Sequence, residues 1–434
     1  MSPLPARSEG RKPLRSAYWA KRWIGFVMPV VAVSMILQIL FLGNMSYLYG
    51  VLFKSGSRAH ALKVLAIDYD GGEIGQALSI AYQSLQASTF PTVEYHSASE
   101  YSTPELLNEA ICKGDYWAAI YTHSGASKRL MATIEGQNTT EYDPGSTISY
   151  MYDASYYPII STSIIQANME TLIAVTSRVY YSVATDARAA VNLSDTASYS
   201  AFLNPIQASS QVQSPTNQGT RVLLNTVSMV MPTLMQFFFL MAMNGIFGEA
   251  GVFNTVSKRD IYLIRLVISK TYTFMCALGM SGYIWAFRED WAVTGRQFGE
   301  TWMCLWLYME INYLLVDTVL DPVIPMKFFP FFLLTWIIIN VASTIYPFAL
   351  SAGFYRLGYA LPAHNTWTLL MEVWSGGCKL QNEVVLPVLL AWWVLGHVSS
   401  AWSVRNRCIA TEGIPVEKRS DTETSESMIA LESV

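Results

Sequence analysis

"IGFVMPVVAVSMILQILFL", residues 24–42, carries no charged side chain from end to end. As a helix rising 1.5 Å per residue it would be about 28 Å long, close to the ~30 Å hydrocarbon thickness of a bilayer. Five more apolar blocks follow, at residues 222–246, 261–285, 302–319, 328–349 and 384–402. Pro29, Pro232, Pro330, Pro347 and Pro387 lie in or beside them, which membrane helices tolerate because neighbouring helices satisfy the freed carbonyls. The whole chain of 434 residues is 52% hydrophobic and only 14% charged, against about a quarter charged in soluble domains. Its net charge of -4 calls for no nucleic acid or other polyanionic partner. The expected fold is an α-helical polytopic membrane protein of six transmembrane helices, with an external α/β domain inserted between helices 1 and 2.

Lys and Arg in short flanks set the orientation of such a chain. Arg7, Arg11, Lys12, Arg15, Lys21 and Arg22 precede the first span; Lys258 and Arg259 lie between spans two and three, and Lys327 between four and five. Arg405, Arg407, Lys418 and Arg419 follow the sixth. Six spans place all of these on one side, so both termini are expected in the cytosol. The first block is too long for a signal-peptide core, and "LGNMSYLYG" offers no small-x-small cleavage site, so it reads as a signal anchor. The expected domains are a basic cytosolic tail at 1–22, transmembrane helix 1 at 23–52 and an external domain at 53–221. A five-helix membrane domain at 222–404 follows, with an external segment at 350–383, and then a disordered acidic, Ser/Thr-rich tail at 405–434. The sequons at Asn138 and Asn192 would be glycan acceptors outside the cytosol; a third, at Asn44, would lie too close to the bilayer.

The external domain begins as alternating strands and helices, the pattern of a layered α/β module. "VLAIDYDGG", residues 64–72, is a strand ending in Asp68, Asp70, Gly71 and Gly72. Aspartyl-phosphate phosphatases carry an Asp-x-Asp at this place, but they also need Thr or Val two residues after the second Asp and a downstream acidic pair. Here that position is Gly72, and "GDYWA" at 114–118 lacks the second acid. The stretch therefore reads as a turn, with Asp favouring it and Gly supplying positive φ. Residues 159–190, free of Gly and Pro, read as one long helix or a pair, and residues 204–219 as a polar linker.

"VLAIDYDGGEIGQAL" and "EAICKGDYWAAIYTHSGASKRL", set between a basic tail with one span and five further spans, resemble the fungal nitrosoguanidine-resistance membrane proteins. So does "SAGFYRLGYALPAHN" at 351–365. More distantly the chain is similar to bacterial phage-infection-protein-like proteins and to the type-2 membrane subunits of ABC exporters. The resemblance implies a part in drug or mutagen tolerance or in lipid organisation at the plasma membrane, and names no chemistry.

No Gly-x-x-x-x-Gly-Lys-Ser/Thr loop occurs in the sequence, so any ATPase would be a separate polypeptide. The loop at 247–260 lies where such exporters dock one, though it also reads as a plain connection. The partners expected are membrane lipids and a separate ATPase or a second copy of the chain. No catalytic residue, metal or other cofactor is expected: the five His show no ligand spacing. Ionisable groups inside spans are costly and mark candidate sites. These are Arg265 and Lys270 in span three, and Glu310 and Asp317, seven apart on one face of span four. Pairing between the two spans is expected, holding the bundle together rather than lining a path. Asn225, Gln236 and Asn244 in span two read as interhelical glue. Cys112 and Cys378 are both external and an oxidising compartment would allow them to pair, but one pair gives no framework. Cys408, beside the basic end of span six, is either a palmitoylation site or a buried thiol.

Overall fold

The computed structural model describes residues 16–17, 22–137, 142–192, 194–213, 223–326, 328–378 and 381–411. The basic residues at 7–21, Lys327, the Asn138 sequon and the acidic tail from 412 fall outside them. The chain divides into two compact units, one ending at Gly50 and one beginning at Val51. Helix α1, Trp23–Leu52, spans that division, contains Pro29 and leaves most of its apolar side chains exposed.

The second unit opens with the α/β module. Strand β1 (Lys63–Asp68), helix α2 (Glu73–Leu85), β2 (Thr92–His96), α3 (Pro104–Lys113), β3 (Ala118–Thr122), α4 (Ala126–Ile134) and β4 (Ile148–Asp153) follow in order. The sheet order is β2-β1-β3-β4 and then β5, Ala208–Gln213. All pairs are parallel except β3 with β4. Alternate side chains of the strands serve opposite faces. Val64, Ala66, Ala118 and Ile120 pack with Ile74, Ala77 and Leu78 of α2. Leu65, Ile67, Ala119 and Tyr121 pack with Leu107 and Ile111 of α3. Helix α3 starts on Pro104 and stops at Gly114, which takes the left-handed conformation with φ 87°.

Strand β5 corrects the reading of 204–219 as a linker. "ASSQVQ" is too polar to read as a strand alone, but as an edge strand it draws its register from β4. The segment at 159–190 is helical from Pro158, passes through one wider turn at Ser161–Gln166, continues as α5 (Ala167–Val183), and breaks at Ala184. Helix α5 lies against α2.

Six longer helices follow: α6 (Val227–Glu249), α7 (Lys258–Ala286), α8 (Gly295–Val319), α9 (Phe329–Ile345), α10 (Pro362–Trp374) and α11 (Asn382–Thr411). Five stretches among the described residues are long and apolar enough to cross a membrane: 27–52, 158–183, 227–249, 258–286 and 382–411. With them the chain is a polytopic membrane protein. Helix α8 falls outside that set, and α9, at 17 residues, is a shorter apolar helix. Packing explains α8: it is surrounded by α6, α7, α10 and α11. A helix enclosed by other helices needs no lipid-compatible surface and can hold polar residues.

Helix α11 extends to Thr411, so Arg405 and Arg407 belong to a helix and not to the disordered tail expected from 405 onward. Helix α10 is buried over nearly its whole length, which its place in an external segment did not suggest. Its N-terminus is held by Asn340 of α9, whose Oδ1 accepts the Ala363 N–H at 3.2 Å. The α/β module and the helices share one apolar core, in which Trp367 of α10 lies edge-on to Tyr157 with ring centroids 6.3 Å apart. Cys112 of α3 and Cys378, between α10 and α11, form a disulfide, a pairing the sequence allowed without requiring.

Candidate functional site: two ionic layers around one helix

The Asp-x-Asp turn comes first because it sits where a ligand would be expected. In open α/β sheets, ligands bind beyond the carboxyl ends of strands where connections leave in opposite directions. Here that place lies between β1 and β3, where the chain's own groups satisfy Asp68 Oδ1 and Asp70 beside an open groove of about 520 Å³ lined by Asp68, Gly72, Glu73, Gln76, Ser79 and Tyr95. Asp68 Oδ1 accepts the Asp70 and Gly71 N–H groups, each at 3.0 Å, and the Thr122 hydroxyl at 2.6 Å. The Asp70 carboxylate accepts the Ser127 N–H at 3.0 Å and the Ser127 hydroxyl. Ser127 Oγ in turn accepts the Ile74 N–H at 3.0 Å. Gly71 has φ +61°, and a Cβ on Gly75 would lie 2.0 Å from Asp68 Oδ2. Burial, followed by the nearby Asp186 and Asp70, raises the pKa of Glu73 at the start of α2. The two carboxylates brace a strand-turn-helix junction.

The buried charges lie in two layers on α8, about 10 Å apart along its axis. In the first, Asp317 is 1% exposed and Arg265 of α7 is 3% exposed, and their N–O distance is 2.5 Å. A second guanidinium completes it: Arg407 of α11 reaches Asp317 Oδ1 at 2.9 Å and donates to the Leu320 carbonyl at 2.8 Å. Ser400 donates to Asp317 Oδ2 at 2.7 Å, and Asn244 of α6 accepts from Arg265 at 2.9 Å. The rings of Phe247 and Phe253 flank Arg265, with centroids 5.5 and 5.9 Å away, a contact that favours a cation. One carboxylate joins α7, α8 and α11, and Arg265 ties in α6 through Asn244.

The second layer is built differently. Lys270 of α7 pairs with Glu310 of α8, which is 1% exposed while Lys270 is 29% exposed. Thr273 donates to the other Glu310 oxygen at 2.5 Å. His397 of α11 lies 3.1 Å from the Lys270 ammonium, and the Trp393 ring lies 4.7 Å from it. The structure thus joins Arg265 with Asp317 and Lys270 with Glu310.

Sequence reasoning missed Arg407 and His397. Arg407 follows an apolar block that ends at Trp402 and reads there as a flanking basic residue; the helix runs on to Thr411 and brings it to Asp317. His397 lies inside the sixth apolar block, and intramembrane titratable groups merit the same attention as Lys or Glu.

The remaining polar residues divide. Asn225 donates to the Thr344 carbonyl at 3.1 Å, whereas the buried Gln236 side chain has no hydrogen-bond partner among the described residues. Asn192 is exposed, its side chain accepting the Ser194 N–H at 3.0 Å. Cys408 is buried.

Fold and composition define a polytopic membrane protein with an α/β module in sequence between its first apolar helix and the rest. The chain belongs to the family described as "Protein of unknown function (DUF3533)", which it matches over residues 33–398. It is also similar to an uncharacterized endoplasmic reticulum membrane protein of Saccharomyces cerevisiae, YJR015W, 33% identical over 70 residues. That similarity covers 15% of this chain and only 13% of the yeast protein. No solved structure matches the chain.

Proposed function

We propose that the protein works as an export-type membrane subunit that moves or rearranges lipids or toxic amphiphiles, without an ATPase of its own. The observation that carries the reading is the enclosed helix α8, with Glu310 and Asp317 held against charges from α7 and α11. Buried charges in a bilayer are expensive and are retained at places where helices are coupled. In this reading α1, α6, α7, α8, α9 and α11 cross the membrane, and α5 and α10 stay with the external module. Both termini are then cytosolic. The Cys112–Cys378 disulfide supports this topology, because it ties two segments assigned to the same side and suits an oxidising compartment. Asp68 and Asp70 have no catalytic part. The plasma membrane is the proposed location, and the yeast relative's name makes the endoplasmic reticulum the comparison compartment.

A second reading is a non-transporting scaffold acting through partners, favoured by the closed Arg265–Asp317–Arg407 layer. Affinity purification of the intact protein, paired with a tolerance assay in cells lacking it, separates the two. Export predicts a copurifying ATPase, docked at the short helix Val252–Thr255, and lowered tolerance to amphiphiles. Loss of the protein with unchanged tolerance, and no ATPase recovered, would reject it.

A further inference from the structure

The two ionic layers differ in one chemical respect. The Asp317 layer is made with arginines, which keep their proton at any accessible pH. The other is made only of groups that can change charge: Lys270, Glu310 and His397. They come from three different helices and meet near mid-length of each. Lys270 is twelve residues into α7, and Glu310 and His397 are each fifteen residues into theirs. Each is therefore about 18–22 Å from its helix start. Glu310 is enclosed, while Lys270 is 29% exposed and His397 is half-buried.

We infer that Lys270, Glu310 and His397 form a proton-binding site in the middle of the helical bundle. One proton from bulk water enters past Lys270 and is taken up by the Glu310 carboxylate, with His397 as the competing acceptor and no electron transferred. The layer's charge then rises by one. Protonated Glu310 no longer pairs with the Lys270 ammonium; protonated His397 no longer accepts from it and repels it. Either event loosens α7 from α8 and α11, while the Asp317 layer holds the other end of the same helices. The thiols and phenols on the surrounding helices, among them Cys276, Cys304, Tyr272, Tyr308 and Tyr313, ordinarily keep their protons near neutral pH, and the carboxylates Asp260 and Glu383 lie in the first turns of α7 and α11. Helix α6 contributes no ionisable side chain before Glu249 at its end. Glu300 and Glu372 lie together toward the N-terminal end of α8, and His364, near the start of α10, has its Nδ1 held at the Ser343 carbonyl at 3.2 Å. The inference goes beyond the export reading and does not depend on which molecule, if any, is moved.

The test is infrared difference spectroscopy of the purified full-length protein in phospholipid vesicles, titrated from about pH 9 to about pH 4, across the ordinary imidazole and carboxylate ranges. Wild type should develop a protonated-carboxyl band that is missing in Glu310→Gln. In His397→Gln its midpoint should move up by about one pH unit, because a competing proton acceptor has gone. If Glu310→Gln does not fold, the double variant Lys270→Met with Glu310→Gln, which strands no charge, should also lack the band. A folded variant without Glu310 whose difference spectrum equals wild type would overturn the inference, since Glu310 would then keep its charge throughout.

Discussion

Asp317→Asn should almost abolish recovery of folded protein, whereas Arg407→Met should reduce it far less. The Asp317 carboxylate is the one anion between two buried guanidiniums. Removing one member of a buried ionic group leaves uncompensated charge, at about 3–5 kcal/mol. That is a large share of the roughly 5–15 kcal/mol by which a fold is stable. Arg407→Met removes hydrogen bonds to Asp317 and to the Leu320 carbonyl but leaves a neutral Arg265–Asp317 pair. Fluorescence-detected size-exclusion of detergent extracts reads both variants. Equal recovery of Asp317→Asn and wild type would mean that the carboxylate is not the hub of this end of the bundle.

The second large effect belongs to the other layer. Glu310→Gln should lower abundance severalfold by stranding Lys270, and adding Lys270→Met should restore most of it. The cost of the single change is again that of a broken buried pair, about 3–5 kcal/mol, reduced here because Lys270 reaches partly out of the bundle. If the pair only holds helices together, the double variant should confer normal tolerance to toxic amphiphiles. If the layer takes part in a functional cycle, abundance should return without tolerance. Unchanged abundance of Glu310→Gln would sink the pairing as a stabilising contact.

Much of this was legible in the sequence, and the omissions have physical causes. Apolar length is a strong signal, so each of the six blocks coincides with a helix. The fourth block, 302–319, has weak hydropathy because α8 faces other helices, and it falls outside the stretches apolar enough to cross a membrane. The Asp68–Gly72 turn could be read from residue type alone, since Asp and Gly dictate local geometry. What bound Asp70 could not be read: Ser127 lies 57 residues away. The same holds for Arg407, whose role depends on helix α11 running two turns past its apolar stretch, and for β5, whose polar sequence becomes a strand only beside β4. Helix α10, at 13 residues, is too short to read as a span. It is buried by the packing of α8, α9 and α11 around it, which no local pattern encodes.

In the proposed topology the α/β module and the α10–α11 connection meet in one non-cytosolic compartment. The most direct test is peptide mapping of the protein from membranes alkylated before lysis and digested without reductant. The account predicts a single linked peptide containing Cys112 and Cys378, which separates on reduction. Recovery of both cysteines as alkylated free thiols would contradict it, because the two segments would then face a reducing compartment or lie apart.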